Sequence, residues 1–350
     1  MAKNPLRRLT PAPAGAPVGP GTAEARPAGL AVRIHDILHS NATLGPALVL
    51  LLAIAIFAAT TERFLDPANL SLIVQQVMVV GTLGIAQTLV ILTAGIDLSV
   101  GAIMVLSSIV MAKLSAESGV PGLLALLIGF GVGTVCGLIN GLLVSRIKLP
   151  PFIVTLGTFQ IFTALVLYYS ESATIRGADM SSLLLWTGNT FDIGDTRITY
   201  GSLLMLGLFA VAAYALGSTA WGRHVYSTGD DIESARLAGV RTNRVLLSVY
   251  VLAGLVCAIA GWLLIGRIAS ASPQAGGLAN LDSITAVVIG GTSLFGGRGL
   301  VIGTLFGALI VGVLRNGLTL GGVDVLWQDF AVGFLVIVAV AIDQWIRKVR

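Results

Sequence analysis

Ten apolar runs, at roughly 44–60, 70–92, 98–113, 121–144, 152–169, 200–216, 246–268, 281–296, 300–318 and 327–346, constrain this chain of 350 residues more than any other feature. Crossing a bilayer as a helix takes ~20 consecutive apolar residues, because in hydrocarbon each backbone polar group must be satisfied within its own segment. Most of the runs come close to that length, so they predict an all-α, polytopic transmembrane helical bundle. The third and eighth are short or interrupted by glycine and read as broken or half-helices. A composition with 55% hydrophobic residues and a mean hydropathy of +0.92 excludes a soluble enzyme or binding domain. Cys136 and Cys257 fall inside the fourth and seventh runs, where they read as small packing residues rather than a disulfide or redox pair.

Residues 1 to about 29 are rich in Pro, Ala and Gly and carry Lys3, Arg7, Arg8 and Arg26, which predicts a disordered basic arm. Leu30 to His39 reads as an interfacial helix with Leu30, Ile34, Ile37 and Leu38 on one side. His35 and His39 stand four apart, as zinc ligands do, but no third ligand candidate accompanies them and no metal site is expected. Residues 1–40 are thus an arm and surface helix, and residues 41–350 the membrane domain.

Threading the chain with its N-terminus in the cytoplasm puts 15 of the 21 lysines and arginines inside and six outside (Arg63, Lys113, Arg176, Arg197, Arg267 and Arg315). That asymmetry is what the positive-inside rule demands. It predicts ten spans with both termini cytoplasmic, and it explains the net charge of +4 without any nucleic-acid partner. It also places the 217–245 loop in the cytoplasm.

Within that loop, Gly229 to Gly239 is a charged island, holding Asp230, Asp231, Glu233 and Arg236 in a chain where only 11% of residues are charged. Residues 231–238 are expected to form a short helix. Asp230 and Asp231 stand at its start, complementing exposed N–H groups, and Gly239 stands where a left-handed C-terminal residue is favoured. Ile232, Ala235 and either Leu237 or Ala238 share one face. Two readings stay open on pattern alone: the helix docks into a groove on a partner, or it lies against the protein's own spans.

The chain also echoes itself. Gly133-Thr-Val-Cys-Gly137 is matched by Gly303-Thr-Leu-Phe-Gly307, and Ile96-Asp97-Leu98-Ser99 by Leu281-Asp282-Ser283, each five runs apart. An odd offset gives the two units opposite orientations, the inverted-repeat arrangement of many transporters. Gly129, Gly133, Gly137 and Gly141, and likewise Gly299, Gly303 and Gly307, recur every four residues, so each set is expected to lie along one helical face where backbones approach closely. The polar residues Gln87, Asp97, Asn140, Thr155, Asp282 and Asn316 lie in or near apolar runs, where a carboxylate is costly unless it faces a cavity, a partner or the interface. For Asp97 and Asp282 a helix N-cap, assisted by Ser99 and Ser283, competes with a functional role. The glycine-rich Gly290 to Gly299 lacks the Gly-Lys-Ser/Thr ending of a phosphate loop, so any energy from ATP has to come from another subunit.

Four stretches together carry a family resemblance: Thr88 to Gly101, Leu149 to Gly157, Gly229 to Gly239, and Leu281 to Gly299. In this order they resemble the membrane permeases of bacterial sugar-importing ABC transporters of the ribose, xylose and galactose type (carbohydrate uptake type 2). The ending Ala341-Ile-Asp-Gln-Trp-Ile-Arg-Lys348 is most similar to rhizobial-type fructose permeases. The resemblance implies a transport subunit of the inner membrane rather than an enzyme, importing a monosaccharide by alternating access, with fructose favoured and ribose, mannose or xylose as alternatives. It implies a coupling loop of the form Glu-Ala-Ala-x-x-x-Gly, matched here by Glu233 to Gly239 with Ser234 in place of the second residue. Asp230, Asp231, Glu233, Ala235, Arg236 and Gly239 would then meet the ATPase. It also implies a partner ATPase subunit that binds ATP and Mg, a periplasmic sugar-binding protein and a second permease copy, with no cofactor in this chain. Gln87, Asp97, Asn140, Thr155 and Asp282 are the candidates for the translocation pathway. An ion-coupled secondary sugar transporter is the alternative; it would tolerate loss of Glu233 and Gly239 but not of an intramembrane acid.

Overall fold

A computed structural model describes residues 43–194 and 196–348, with side chains to residue 341. The basic arm, the interfacial helix with His35 and His39, and the last three basic residues of the chain lie outside the described residues or side chains. Ten helices answer the ten apolar runs: α1 (Leu44–Thr60), α2 (Pro67–Leu92), α3 (Val100–Ala116), α4 (Gly122–Ser145), α5 (Pro151–Ser170), α7 (Tyr200–Ser218), α10 (Thr242–Ile268), α11 (Ala279–Ile289), α12 (Val301–Leu320) and α13 (Val325–Lys348). Between them stand the short α6 (Ser182–Leu185), α8 (Ala220–Asp230) and α9 (Ile232–Leu237). Six helices (α2, α4, α5, α7, α10 and α12) are long and apolar enough to cross a membrane, and four shorter apolar helices accompany them. The third and eighth runs are the short helices α3 and α11, as their glycine breaks predicted.

Proline sets several of the starts. Pro67 and Pro151 occupy the first helical turn of α2 and α5, where a missing N–H costs nothing. The two longest helices, α2 and α10, end alike, on an alanine in the left-handed region: Ala94 at φ 60° and Ala269 at φ 49°. After α2 the N–H of Gly95 reaches the carbonyl of Val90 and that of Ala94 reaches Ile91, the paired bonds of a Schellman cap. Each of these two helices is then followed by a non-helical link (93–99 and 269–278) that turns the chain back into the bundle before the short α3 or α11 begins. The shared sequence of long helix, bend, half-helix and two further helices matches the repeat read from the glycine echoes.

Helix α10 is the hub, packed on α4, α2 and α3, and α12 joins α11 to α2. The glycine stripe of α4 makes the first of these contacts possible. A Cβ at Gly133 or Gly137 would overlap the backbone of α10 at Gly254 or Tyr250, Gly141 faces Leu247 and Tyr250, and Gly129 seats Met111 of α3. Gly303 and Gly307 do the same for α12 against Gly290 and Ala286. Gly299 departs from the expected stripe. It lies outside α12, at φ 142° in the loop before Leu300, because the chain must turn there, and a Cβ at this position would overlap Thr292 rather than a neighbouring helix.

The segment between α5 and α7, which holds no apolar run, carries short elements of its own. Strands β2 (Thr190–Ile193) and β3 (Thr196–Thr199) form an antiparallel hairpin, and β1 (Ile175–Arg176) pairs with β4 (Ser270–Ala271). Trp186 stacks with Tyr200, at 4.9 Å, and with Trp262, at 5.9 Å. The Ser71 hydroxyl bonds the Arg197 carbonyl. Lys113 reaches the carbonyl of Tyr169 at 2.8 Å and Glu171 at 3.0 Å. These contacts close the end of the bundle opposite to α8 and α9.

Candidate functional site

Helix α9 is built as the charged island predicted, one residue shorter at its C-terminal side. Asp231 is the N-cap: its Oδ1 accepts from the backbone N–H of Glu233 at 3.0 Å and of Ser234 at 3.2 Å, and the Ser234 hydroxyl donates to Oδ2 at 2.6 Å. Those bonds, the Ser234 hydroxyl first, hold the Asp231 carboxyl below the usual carboxylate range. Serine in place of alanine at 234 therefore adds a bond to the cap. At the other end Gly239 sits at φ 88°, with its N–H on Arg236 and that of Val240 on Ala235, again a Schellman cap. Glu233 and Arg236 pair across one turn at 3.7 Å. Of the face read from sequence, Ala235 is buried against the protein, while Leu237 is 87% exposed and Ile232 44%. The helix thus rests on its own chain through one small residue and presents an apolar side chain outward.

What α9 is attached to was not legible in sequence. Helix α8 carries it, anchored by Val225, which is fully buried, and by Trp221, whose Nε1 donates to Ser248 of α10 at 2.8 Å. The Tyr226 hydroxyl donates to the carbonyl of Gly299 at 2.8 Å, and burial pushes its pKa up. Next along, Gly229 lies against the last carbonyl of α2, at Leu92, which also accepts from the N–H of Gly297 at 3.0 Å. A Cβ on Gly296 or Gly297 would meet Gly229, Asp230 and Ala94. The glycine-rich 290–299 stretch, set aside as a phosphate loop, is the joint at which α8, the end of α2 and the start of α12 meet. Its signal in sequence is the Gly296-Gly297 pair, both in the left-handed region.

Above this joint the two bends meet inside the bundle. Asp97 is 2% exposed; its Oδ1 accepts from the N–H of Ser99 at 2.7 Å and from its hydroxyl at 2.6 Å. Asn140 of α4 donates to the same hydroxyl at 2.8 Å. Thr155 of α5 accepts from the N–H of Leu98 at 3.1 Å and donates to the carbonyl of Ile96 at 3.0 Å. From the first turn of α11, just after the second bend, Asn280 donates to the carbonyl of Leu98 at 3.0 Å, and Gly101 gives it room. Asp97 therefore sits just before α3, its carboxyl accepting from the N–H of the residue that precedes the helix. Of the five candidates for a pathway, Asp97, Asn140 and Thr155 come together here. Gln87 is fully buried in α2 with neither amide atom bonded among the described residues. Asp282 is elsewhere, on α11, paired with Arg315 of α12 at 2.9 Å, and Arg315 in turn reaches Asp329 of α13 at 2.8 Å. Among the described residues no group of His, Cys, Asp or Glu forms a metal-binding cluster.

A family model described as the branched-chain amino acid transport system / permease component matches residues 69–340, which takes in every helix described except α1 and the tail of α13. The chain belongs to this permease family. It is accordingly a multi-pass membrane transport component and not an enzyme. The chain is 54% identical over 321 residues to the fructose import permease protein FrcC of Rhizobium meliloti, covering 91% of this chain and 89% of that one. It is 40% identical to the ribose import permease protein RbsC of Bacillus subtilis, covering 86% and 92%, and 34% identical to the D-allose transport system permease protein AlsC of Escherichia coli, covering 87% and 92%. No solved structure matches the chain.

Proposed function

We propose that this permease is the membrane subunit of an ATP-driven importer that moves a monosaccharide, fructose by preference, across a bacterial inner membrane with both chain termini in the cytoplasm. The observation that carries the coupling half of this reading is the doubly capped α9, with Leu237 outward, attached through α8 to the ends of α2 and α12. A helix built this way suits insertion into a groove of an ATPase subunit that binds ATP and Mg. A push on it is delivered to Leu92 and Gly297, at the foot of the first bend. The similarity to FrcC supports fructose, with ribose, mannose and xylose as the alternatives to test.

The transport step is alternating access. Asp97, Ser99, Asn140, Thr155 and Asn280 hold the two bends against each other, and movement of the foot of α2 alters that arrangement. Gln87, Asp97, Asn140, Thr155 and Asp282 are proposed to serve the pathway, Asp97, Asn140 and Thr155 by setting the first bend, Gln87 from within α2 and Asp282 through its pair with Arg315. ATP and a sugar-loaded periplasmic binding protein drive the cycle only if both favour the same conformation, since a ligand shifts an equilibrium by its differential affinity alone. The exposed apolar faces of α4, α5 and α13, including Leu127, Ile153 and Phe334, supply the surface for membrane lipid and a second copy of the chain.

The reading is tested by sugar uptake in cells that make the chain together with a cognate ATPase and binding protein, comparing wild type with Gly239→Asp across the four sugars. Loss of uptake with the variant still in the membrane, together with loss of ATPase co-purification, is the expected result. Uptake that persists in the variant without an ATPase would overturn it in favour of an ion-coupled carrier.

A further inference from the structure

We propose that the cavity beside α9 binds a phosphate group, carried either by a small soluble anion or by an anionic lipid headgroup. The cavity has a volume of about 760 Å³ and is bounded by the link between α4 and α5, by α9 and by the start of α10. Arg146, Lys148, Arg236, Arg241 and Arg244 line it, against the single acid Glu233. Arg236 is engaged by that acid. Arg146, Lys148, Arg241 and Arg244 make no ion pair and no side-chain hydrogen bond among the described residues, so four cationic residues border one space without a carboxylate partner. Like charges gathered in this way repel, and a multivalent anion removes that cost.

Two further features point the same way. Helices α5 and α10 both begin on the cavity wall, and neither has a side chain capping its first turn, so two positive helix ends add to the field. Ser145, also on the wall, is 1% exposed and its hydroxyl has no partner among the described residues. A buried hydroxyl without a partner is costly, and a phosphate oxygen is an acceptor that satisfies it. Arginine guanidinium groups match phosphate oxygens two at a time, which favours phosphate over a halide or a neutral sugar. The volume has room for the group that carries the phosphate. Because Thr93 of the first bend and Glu233 of α9 share this wall, an occupant touches both parts of the coupling joint. That consequence rests on the transport reading; the binding itself does not.

The test uses the full chain in phosphatidylcholine nanodiscs. Inorganic phosphate is titrated calorimetrically at constant ionic strength. In parallel, nanodiscs containing phosphatidylglycerol are compared with pure phosphatidylcholine by counting retained lipids in native mass spectra. The double variant Arg146→Gln/Arg244→Gln is expected to lose at least about tenfold in affinity. Ser145→Ala loses severalfold, Arg146→Lys/Arg244→Lys keeps most of the binding, and Arg197→Gln at the opposite end changes nothing. Phosphate binding alone identifies a soluble anion as the source, and selective retention of phosphatidylglycerol alone identifies a lipid; either supports the site. Absence of both, wild-type binding by the double glutamine variant, or an equal loss with Arg197→Gln would overturn it.

Discussion

Replacing Gly229 by alanine tests the joint between α8, α2 and the 290–299 loop with a single methyl group. The added Cβ would overlap the Leu92 carbonyl oxygen and stand 2.8 Å from both its carbon and the N–H nitrogen of Gly297, where real Cβ atoms stay beyond 3.0 Å. All three neighbours are backbone, so no rotamer change relieves the overlap. Helix α8 has to move away from the foot of α2, which overpacks the joint and strains the bond from Gly297 to Leu92. Overpacking costs about 1–3 kcal/mol and a lost backbone bond about 1 kcal/mol, so a destabilisation of about 2–4 kcal/mol is expected. Gly131→Ala is the control: it lies in α4 with nothing within 4 Å of the added atom, and it should stabilise by about 0.5–1 kcal/mol through helix propensity. Thermal unfolding of the purified proteins in detergent reads both changes, and sugar uptake reads the transport consequence, with Gly229→Ala losing most of its uptake at unchanged membrane level. A Gly229→Ala protein with the melting temperature and uptake of wild type would refute the close approach and the mechanical route drawn through it.

Other outcomes follow from single contacts. Asn69 and Asn316 are buried and exchange two amide bonds, at 3.0 and 2.9 Å, so Asn316→Ala should lower stability by about 1–3 kcal/mol, while the double change to leucine costs far less, as a double-mutant cycle in detergent will show. Ala94→Gly should raise the melting temperature modestly, because a non-glycine residue at φ 60° carries about 1 kcal/mol of strain. The Asp231 cap has a pH signature. Its folded pKa lies below the unfolded value, so its contribution is complete above about pH 4 and is lost as pH falls through the folded pKa. Hydrogen-exchange protection at Glu233 and Ser234 should be flat from pH 8 to 5 and fall below about pH 4, and Asp231→Asn should abolish the dependence while keeping the helix. Removing Arg315 as Arg315→Gln leaves Asp282 and Asp329 facing each other without a cation, and uptake should fall more than with the double change Asp282→Asn/Arg315→Gln.

The sequence by itself determined the bundle, its ten apolar helices and the capped α9. These rest on interactions within one segment: a run of apolar residues long enough for lipid, a proline at a helix start, an aspartate two residues before the N–H groups it accepts from, a glycine where φ must be positive. It also exposed the glycine stripes of α4 and α12, because a period of four is visible in one dimension. Only the tertiary structure decided what those pieces touch. Nothing near Gly229 in sequence announces Leu92 or Gly297, and nothing near Asp97 announces Asn140, Thr155 or Asn280. Those partners are set by how α2, α4, α5 and α10 pack, where close backbone approach and the need to satisfy buried polar groups outweigh any local preference. The same packing moved Gly299 out of the helical stripe and gathered the arginines of three separate segments around one cavity. Local rules fix where a helix begins and ends; the sum of weak contacts between helices fixes which of its residues do the work.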